Sequence, residues 1–400
     1  MTSSPDPLDP TAAPRKDANL PMEPSIATLA DVLEHVRPRL SAGLTDAAAV
    51  RAVAEVACAI PATLSSFWGL ESRLGVPEAR VDFLWEVRRA SPGANLLAGQ
   101  GPDSPARLQI DTLCAQSPTW AALRRFAESW LQDSAEARAI LNIWLEADTA
   151  GTDDPVHLTT LLHKPCLFWG ADPETPGADR ALLARLPDLA KQIFDLHVDP
   201  ARLSVAVAQL PDRAEVFQMG VMGARAGSVT RLCLRKIDSS ETANWLTSIG
   251  WPGDADAVQA IMRQLRPMVG QIALNVDILP QGTGPKLGLE LYRPGEGIDP
   301  AQWRPLFDTL TQMGLARTDK LAGLSAFPHQ QRYSQSAALR RDPPLGYPVI
   351  VQNLHHIKLV MTGSTPVEAK AYLGVYRPEF DYSDFVGGQE SGARGGWIVS

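Results

Sequence analysis

Charged side chains alternate with apolar ones in a series of short runs along this sequence. The run Val81–Arg88 is typical, and its acids are Asp82 and Glu86. Between these two acids stand Phe83 and Trp85. Such alternation places acids and apolar residues on opposite faces of a strand. Acids and bases that share one enclosed face would pair, so a carboxylate there could act as a general base and basic groups could bind an anion such as diphosphate.

If the runs are strands with a common polar face, that face collects ionisable and aromatic groups from five hairpins. The acids are Glu71, Asp82, Glu86, Glu146, Asp148, Asp277 and Glu290. The bases are Arg73, Arg88, Lys164, Arg231, Arg235, Lys358 and Lys370. The aromatic residues are Trp144, Phe168, Tyr292, Tyr372 and Tyr376. The alternative is a face whose acids and bases only form salt bridges with one another.

Helical periodicity alternates with paired strand-like runs five times, which predicts five helix-then-hairpin units. The paired runs are 67–75 and 80–89, 141–148 and 164–170, 217–225 and 230–237, 271–279 and 286–294, and 355–363 and 367–377. Amphipathic helices can cover the apolar sheet face, and closure of the sheet removes its exposed edges. The predicted fold is therefore α+β, a closed ten-stranded antiparallel β-barrel surrounded by helices. An open sheet with its polar face in water is the alternative.

The composition is that of an ordinary globular protein, with 45% apolar and 20% charged residues. The net charge of -8 and the absence of a basic run exclude a nucleic-acid partner. No membrane span or signal peptide is visible, and the four cysteines show no CxxC spacing, so a cytoplasmic protein with reduced thiols is predicted. We expect a disordered tail over residues 1–24, one domain over 25–380 and a flexible tail over 381–400. The oligomeric state is left open.

Several short motifs resemble those of the aromatic prenyltransferases with the ABBA barrel, especially the dimethylallyltryptophan synthase branch. The motifs are GLES (69–72), KPC (164–166), TRLCLRK (230–236), LELYRP (289–294) and AKAYLGVY (369–376). The resemblance extends over about residues 26–377. It implies transfer of a prenyl group from an allylic diphosphate to an indole or phenol, either free or in a peptide, in natural-product biosynthesis. The implied reaction uses no metal and no other cofactor.

The same resemblance, together with strand parity, assigns candidate roles. Glu71 would accept the proton of the aromatic acceptor. The predicted diphosphate ligands are Lys164, Arg231, Arg235, Lys358 and Lys370. The predicted aromatic wall consists of Trp144, Tyr292, Tyr372 and Tyr376. Such a wall would shield an allyl cation from water and stabilise it through the faces of its rings.

The motifs depart from the family pattern at four positions. Asp82 stands where the family carries an arginine, and Cys233 replaces a lysine. Cys166 and Arg235 stand where shield tyrosines belong. Two alternatives therefore stay open. One is a barrel that binds a peptide or small molecule as an accessory to natural-product maturation, and the other is a barrel enzyme that uses its lumen carboxylates for acid–base chemistry.

Two further features bear on the site. His355 and His356 are neighbours on a predicted strand, so we expect at most one of them in the lumen, and no metal site. Residues 91–116 and 329–347 are interpreted as long loops, either lids or disordered segments.

Overall fold

The structure is a computed structural model that describes residues 26–89, 91–223, 229–293, 299–332 and 349–377. The predicted tails over residues 1–24 and 381–400 lie outside these ranges, and their disorder remains a prediction.

The strands begin and end as follows: β1 (Phe67–Arg73), β2 (Val81–Arg88), β3 (Ile140–Ala147), β4 (Cys166–Ala171), β5 (Glu215–Val221), β6 (Thr230–Arg235), β7 (Gln271–Leu279), β8 (Gly282–Tyr292), β9 (His329–Arg332), β10 (Val349–Thr362) and β11 (Thr365–Tyr376).

The α-helices are α1 (Leu29–Val36), α2 (Ala47–Ala57), α3 (Pro92–Leu97), α4 (Pro105–Gln116), α5 (Pro118–Trp130), α6 (Ala135–Arg138), α7 (Pro155–His163), α8 (Ala178–Phe194), α9 (Pro200–Ala208), α10 (Ser239–Ser248), α11 (Ala255–Leu265), α12 (Arg304–Gln312) and α13 (Thr318–Ala326). Short 3-10 helices cover Arg37–Arg39, Thr149–Gly151, Arg266–Met268 and Pro300–Trp303. None of these helices is both long and apolar enough to cross a bilayer.

Ten antiparallel strands close into a barrel. Strands β1 to β8 pair in sequence order, β8 pairs with β10, β10 with β11, and β11 returns to β1. The closing register runs from Phe67 opposite Tyr376 to Arg73 opposite Lys370. This pairing confirms the predicted closed barrel and rules out the open sheet.

Strand β9 extends the edge of the barrel beside β10. It pairs with the first part of β10, from Val349 to Gln352, whereas β8 pairs with the last part, from Ile357 to Thr362. The predicted loop over residues 329–347 is therefore wrong in its first four positions, and residues 333–348 lie outside the described ranges.

The outer face of the barrel is apolar and packs beneath the helices. Trp68, Trp85 and Trp169 are each at most 1% exposed. From the helix layer, Trp120 Nε1 donates a hydrogen bond to a backbone carbonyl, and Trp130 Nε1 does the same, each over 2.8 Å. The apolar positions of the alternating runs thus form the core between barrel and helices, which turns the polar positions inward.

The predicted loop over residues 91–116 is also wrong, because most of it is helical. Ser91 and Ser104 each accept a hydrogen bond from a backbone N–H in the first turn of a helix, and Pro92 and Pro105 follow them. A serine cap followed by proline is a strong start signal for a helix. The signal is present in the sequence, but α3 is short and α4 has little apolar periodicity, so the pattern of apolar residues did not reveal them.

Candidate functional site

The barrel places Glu71 deep in the lumen, where β1 meets β11. Lys370 Nζ donates to Glu71 Oε1 over 2.7 Å, and the Tyr372 hydroxyl donates to Oε2. Burial alone would raise the pKa of Glu71, but the charge of Lys370 and these hydrogen bonds outweigh it and hold the pKa well below its ordinary value. Glu71 is therefore ionised, and Lys370 is its cation.

A second buried carboxylate, Glu290 on β8, has the same kinds of partner. Tyr292 donates its hydroxyl hydrogen bond to Glu290 Oε2 over 2.7 Å, and Lys358 Nζ lies 3.3 Å from Oε1. Lys358 also donates to Asn275 Oδ1. Burial would raise the pKa of Glu290, but Lys358, His356 and Tyr292 lower it to about 2.

An aromatic stack joins these two carboxylate clusters. The His356 ring lies 4.1 Å from the Tyr372 ring at an interplanar angle of 14°, and 4.8 Å from the Tyr292 ring at 33°. Burial lowers the pKa of His356 to about 3, so this imidazole is neutral. The stack therefore presents neutral rings between two ionised carboxylates.

Both histidines of the adjacent pair face the lumen, which corrects the expectation of at most one. The register of β10 shifts between Leu354 and His356, and His355 lies at that irregularity. Its ring contacts Phe67 at 5.4 Å and Tyr292 at 5.8 Å, and its Nδ1 lies 2.7 Å from that of His356. A bulge gives two successive residues the same facing, which strand parity cannot anticipate. Within the described ranges, no three potential ligands gather in a metal-binding arrangement.

Two predicted anion ligands lie on β6, and both form ion pairs. Arg231 donates to the two carboxylate oxygens of Asp277 over 2.7 and 3.1 Å. Arg235 Nε lies 3.0 Å from Glu215, and its guanidinium lies 5.8 Å from the centre of the Phe217 ring. Together with Lys358 and Lys370, these residues give four predicted lumen cations, each facing a carboxylate.

Lys164 is placed differently from the other predicted ligands. It is the exposed residue that ends α7, two positions before Cys166 opens β4. The structure thus brings Glu71, Arg231 and Lys358 into the lumen and leaves Lys164 exposed at the end of α7.

The remaining aromatic wall lies along β1, β3 and β11. The Phe67 ring packs edge-on against Trp144 at 5.0 Å and lies 6.3 Å from Tyr376. Trp144 and Tyr376 are partly exposed, whereas Tyr292 is buried. Phe67 was missed from the sequence, although its even spacing from Glu71 along β1 gave the signal.

The neighbouring acids of β2 have fewer compensating charges. Asp82 accepts from Arg73 Nη2 over 2.9 Å, yet burial and the charge of Glu71 raise the pKa of Asp82 to about 7. Glu86 accepts from the Asn142 amide over 2.6 Å, and burial raises its pKa as well. Asp82 and Glu86 are thus stabilised less as carboxylates than Glu71 and Glu290.

Comparison with known proteins bears on the fold alone. No protein-family model and no curated protein matches the sequence. The crystal structure of the prenyltransferase PriB in its apo form superimposes with a TM-score of 0.50 at 13% identity, over 87% of this chain and 96% of that chain.

Two other solved structures give lower scores. PriB in a ternary complex with L-tryptophan and dimethylallyl thiolodiphosphate gives 0.49 at 14% identity, over 87% and 96% of the two chains. AnaPT from Neosartorya fischeri gives 0.42 at 15% identity, over 78% of each. The closed ten-stranded barrel and the superposition on apo PriB confirm, at the level of fold, the resemblance seen in the motifs. Because one fold hosts many reactions, the activity has to be argued from the site.

Proposed function

We propose that this protein transfers a prenyl group from an allylic diphosphate to an electron-rich aromatic acceptor, an indole or a phenol, in natural-product biosynthesis. One observation carries the proposal: the ionised carboxylate of Glu71 lies beside the ring stack of Tyr372, His356 and Tyr292 within the barrel. Ring faces and a carboxylate can stabilise an allyl cation and orient an acceptor. The fold that this chain shares with a prenyltransferase supports the proposal by analogy.

The proposed reaction has three bond changes. The C–O bond between the allylic carbon and the diphosphate breaks, and its electron pair leaves with the diphosphate. A ring carbon of the acceptor then forms a C–C bond to the allylic carbon. Finally the ring loses a proton, which restores its aromaticity, and Glu71 is the proposed acceptor of that proton.

Lys370 couples donor binding to the strength of this base. While Lys370 pairs with Glu71, the pKa of the carboxyl stays low and Glu71 is a weak base. A diphosphate oxygen that takes over Lys370 would remove this stabilisation, so the pKa of the buried Glu71 would rise. In the proposed order the donor therefore binds first. Glu71 becomes a stronger base only after the diphosphate has bound, and at that point the allyl group is already in the lumen.

The donor is tested by calorimetric titration with dimethylallyl thiolodiphosphate, an analogue that resists cleavage. We expect saturable binding, weakened about tenfold or more in Arg231→Ala because a hydrogen bond to a charged group is lost. Lys164→Ala tests the exposed predicted ligand at the end of α7 in the same way. Arg180→Ala is the matched control, since Arg180 is exposed on the outer helix α8. Failure of the wild-type protein to bind any allylic diphosphate would reject the proposal.

A second candidate is a barrel that binds a small molecule or peptide without prenyl transfer. It is favoured by the ion pairs of the lumen, because Arg231, Arg235 and Lys358 each face a carboxylate that an incoming diphosphate would have to displace. The same titration separates the candidates: binding of aromatic ligands without any donor binding would support this one.

A further inference from the structure

The lumen wall formed by β1, β2 and β3 holds a buried carboxylate that its surroundings only partly neutralise. Glu86 on β2 is 5% exposed. The nearest basic group is Arg88, whose Nε lies 3.6 Å away and whose side chain is 48% exposed, so water screens its charge. The hydrogen bond that Glu86 accepts comes from the uncharged amide of Asn142. The raised pKa of Glu86 agrees with this shortage of positive charge.

The neighbouring amide supplies an independent sign of a missing donor. Asn142 is 3% exposed, and its Oδ1 has no hydrogen-bond partner in the described part of the chain. Asn142 pairs with Gly170 on β4, and its Oδ1 occupies the space on the lumen side of Gly170 where another residue would carry its Cβ. A buried acceptor without a donor costs free energy, and a ligand that brings an N–H group removes that cost.

Trp144 completes the group from β3. It lies directly opposite Glu86 in the strand register, and it is partly exposed. The indole face of tryptophan is the best aromatic partner for a cation. A carboxylate, an amide oxygen and an indole thus lie together on one wall, and all three favour a positively charged N–H donor.

We infer that Glu86, Asn142 and Trp144 form a subsite for an alkylammonium group. An ammonium would donate to the Glu86 carboxylate and to Asn142 Oδ1, and its charge would lie against the Trp144 ring. The two cations of the paired lumen clusters, Lys358 and Lys370, are already held by other carboxylates and do not fill this role.

This inference rests on the proposed function, since it names the class of acceptor as an aromatic that carries an amine. Glu71 faces Asp82 across β1 and β2, and Glu86 lies four positions further along β2, about 13 Å at the rise of an extended strand. An indole ring with a two-carbon amine chain is comparable in length. Its ring would lie near Glu71 while its ammonium reaches Glu86.

Calorimetry on the full chain tests the subsite with three probes of similar shape. Tryptamine carries the ammonium, 3-ethylindole is neutral, and indole-3-propanoate is an anion. We expect tryptamine to bind at least about tenfold more tightly than 3-ethylindole, and the anion to bind most weakly. In Glu86→Gln, which keeps the shape and removes the charge, the preference for tryptamine should fall below about twofold. Glu128→Gln, on the exposed side of α5, is the matched control.

A second variant changes the site without changing any charge. The methyl group introduced by Gly170→Ala would overlap the Asn142 amide oxygen and displace that side chain. We expect a loss of about threefold in tryptamine affinity, with 3-ethylindole affinity unchanged. Circular dichroism of each variant establishes that it is folded.

The outcomes separate this inference from the proposed function. Equal affinities for tryptamine and 3-ethylindole, or a tryptamine preference that survives in Glu86→Gln, would overturn the subsite, and so would the absence of binding by all three probes. None of these results would change the outcome expected from the donor titration with Arg231→Ala, which tests the proposed function. Conversely, a charge-dependent preference in a protein that binds no allylic diphosphate would leave the subsite standing and reject prenyl transfer.

Discussion

The buried carboxylates on two walls of the same lumen have pKa values shifted in opposite directions. On β2, burial raises the pKa of Glu86 and raises that of Asp82 to about 7. On β8, Glu290 is buried to a similar depth, but its pKa is lowered to about 2. The difference lies in the neighbours, because Glu290 faces the buried Lys358, whereas Glu86 has an amide and the half-exposed Arg88.

The comparison shows that a polar lumen is not a uniform environment. Removal from water disfavours every one of these carboxylates, and the local supply of cations decides which of them stays ionised. The wall of β8 and β10 carries its own cation, Lys358, so it can receive an anion there only if Lys358 exchanges partners. Near the acids of β2, the wall of β1 to β3 carries the partly exposed Arg73 and Arg88, so it is suited to a ligand that brings a further cation.

The largest expected effect comes from removing the cation on the wall of β8 and β10. Lys358→Met removes the cation of Glu290 and leaves a buried charge without compensation. We expect a loss of about 3–5 kcal/mol in the free energy of unfolding, measured by urea denaturation.

The double variant Lys358→Met/Glu290→Gln is the control for this prediction. It removes both charges, so much of the lost stability should return. A double variant as unstable as Lys358→Met alone would show that the ion pair is not the cause.

An intermediate effect is expected on the wall of β1 to β3, as a change in the pH dependence of the Tm. The pKa of Asp82 is raised in the folded protein from its ordinary 3.8 to about 7. A raised carboxyl pKa contributes stability below the ordinary value, and this contribution is lost as the pH rises through about 7. Between pH 5 and pH 8.5, the Tm of Asp82→Asn should therefore fall by several degrees less than that of the wild type.

Glu290→Gln provides the opposite case for the same experiment. The pKa of Glu290 is about 2 when folded, so this group stays ionised in both states throughout this pH range. The variant should be less stable than the wild type by a constant amount from pH 5 to pH 8.5. Parallel pH profiles for the wild type and Asp82→Asn would contradict the distinction between the two walls.

The smallest effect is expected from Arg88→Gln. Arg88 is half exposed, so its loss should change the free energy of unfolding by no more than about 0.5 kcal/mol. The same change removes the partial neutralisation of Glu86, and tryptamine affinity should rise by about twofold. Lower tryptamine affinity in Arg88→Gln would argue against an ammonium at Glu86.

The sequence predicts which side chains face the lumen better than it predicts how they pair. Alternation is local, so the inward positions of Glu71, Arg231 and Tyr292 follow from period-2 spacing along single strands. Partner choice depends on register between distant strands. Period-2 spacing does not reveal, for example, that β11 places Lys370 against Glu71 from 299 positions away.

Local irregularity accounts for other differences. The bulge at His355 reverses the parity of one residue, and no composition signal marks it. Lys164 stands two positions before Cys166, so an extension of β4 toward its N-terminus would turn Lys164 inward. The chain at Lys164 instead ends α7, and its side chain is exposed. The site roles assigned to Glu71 and to the basic residues remain predictions, which the titrations above test.

The pairing of β1 with β11, the seam that closes the barrel, determines when Glu71 gains its partners during folding. Strands from opposite ends of the domain meet there, and contacts so distant in sequence are entropically the most demanding to form. The carboxylate proposed as the base acquires its lysine and tyrosine only across this seam. A chain still emerging from the ribosome would hold Glu71 without these partners, so the charge of this carboxylate is compensated only after β11 has been synthesised.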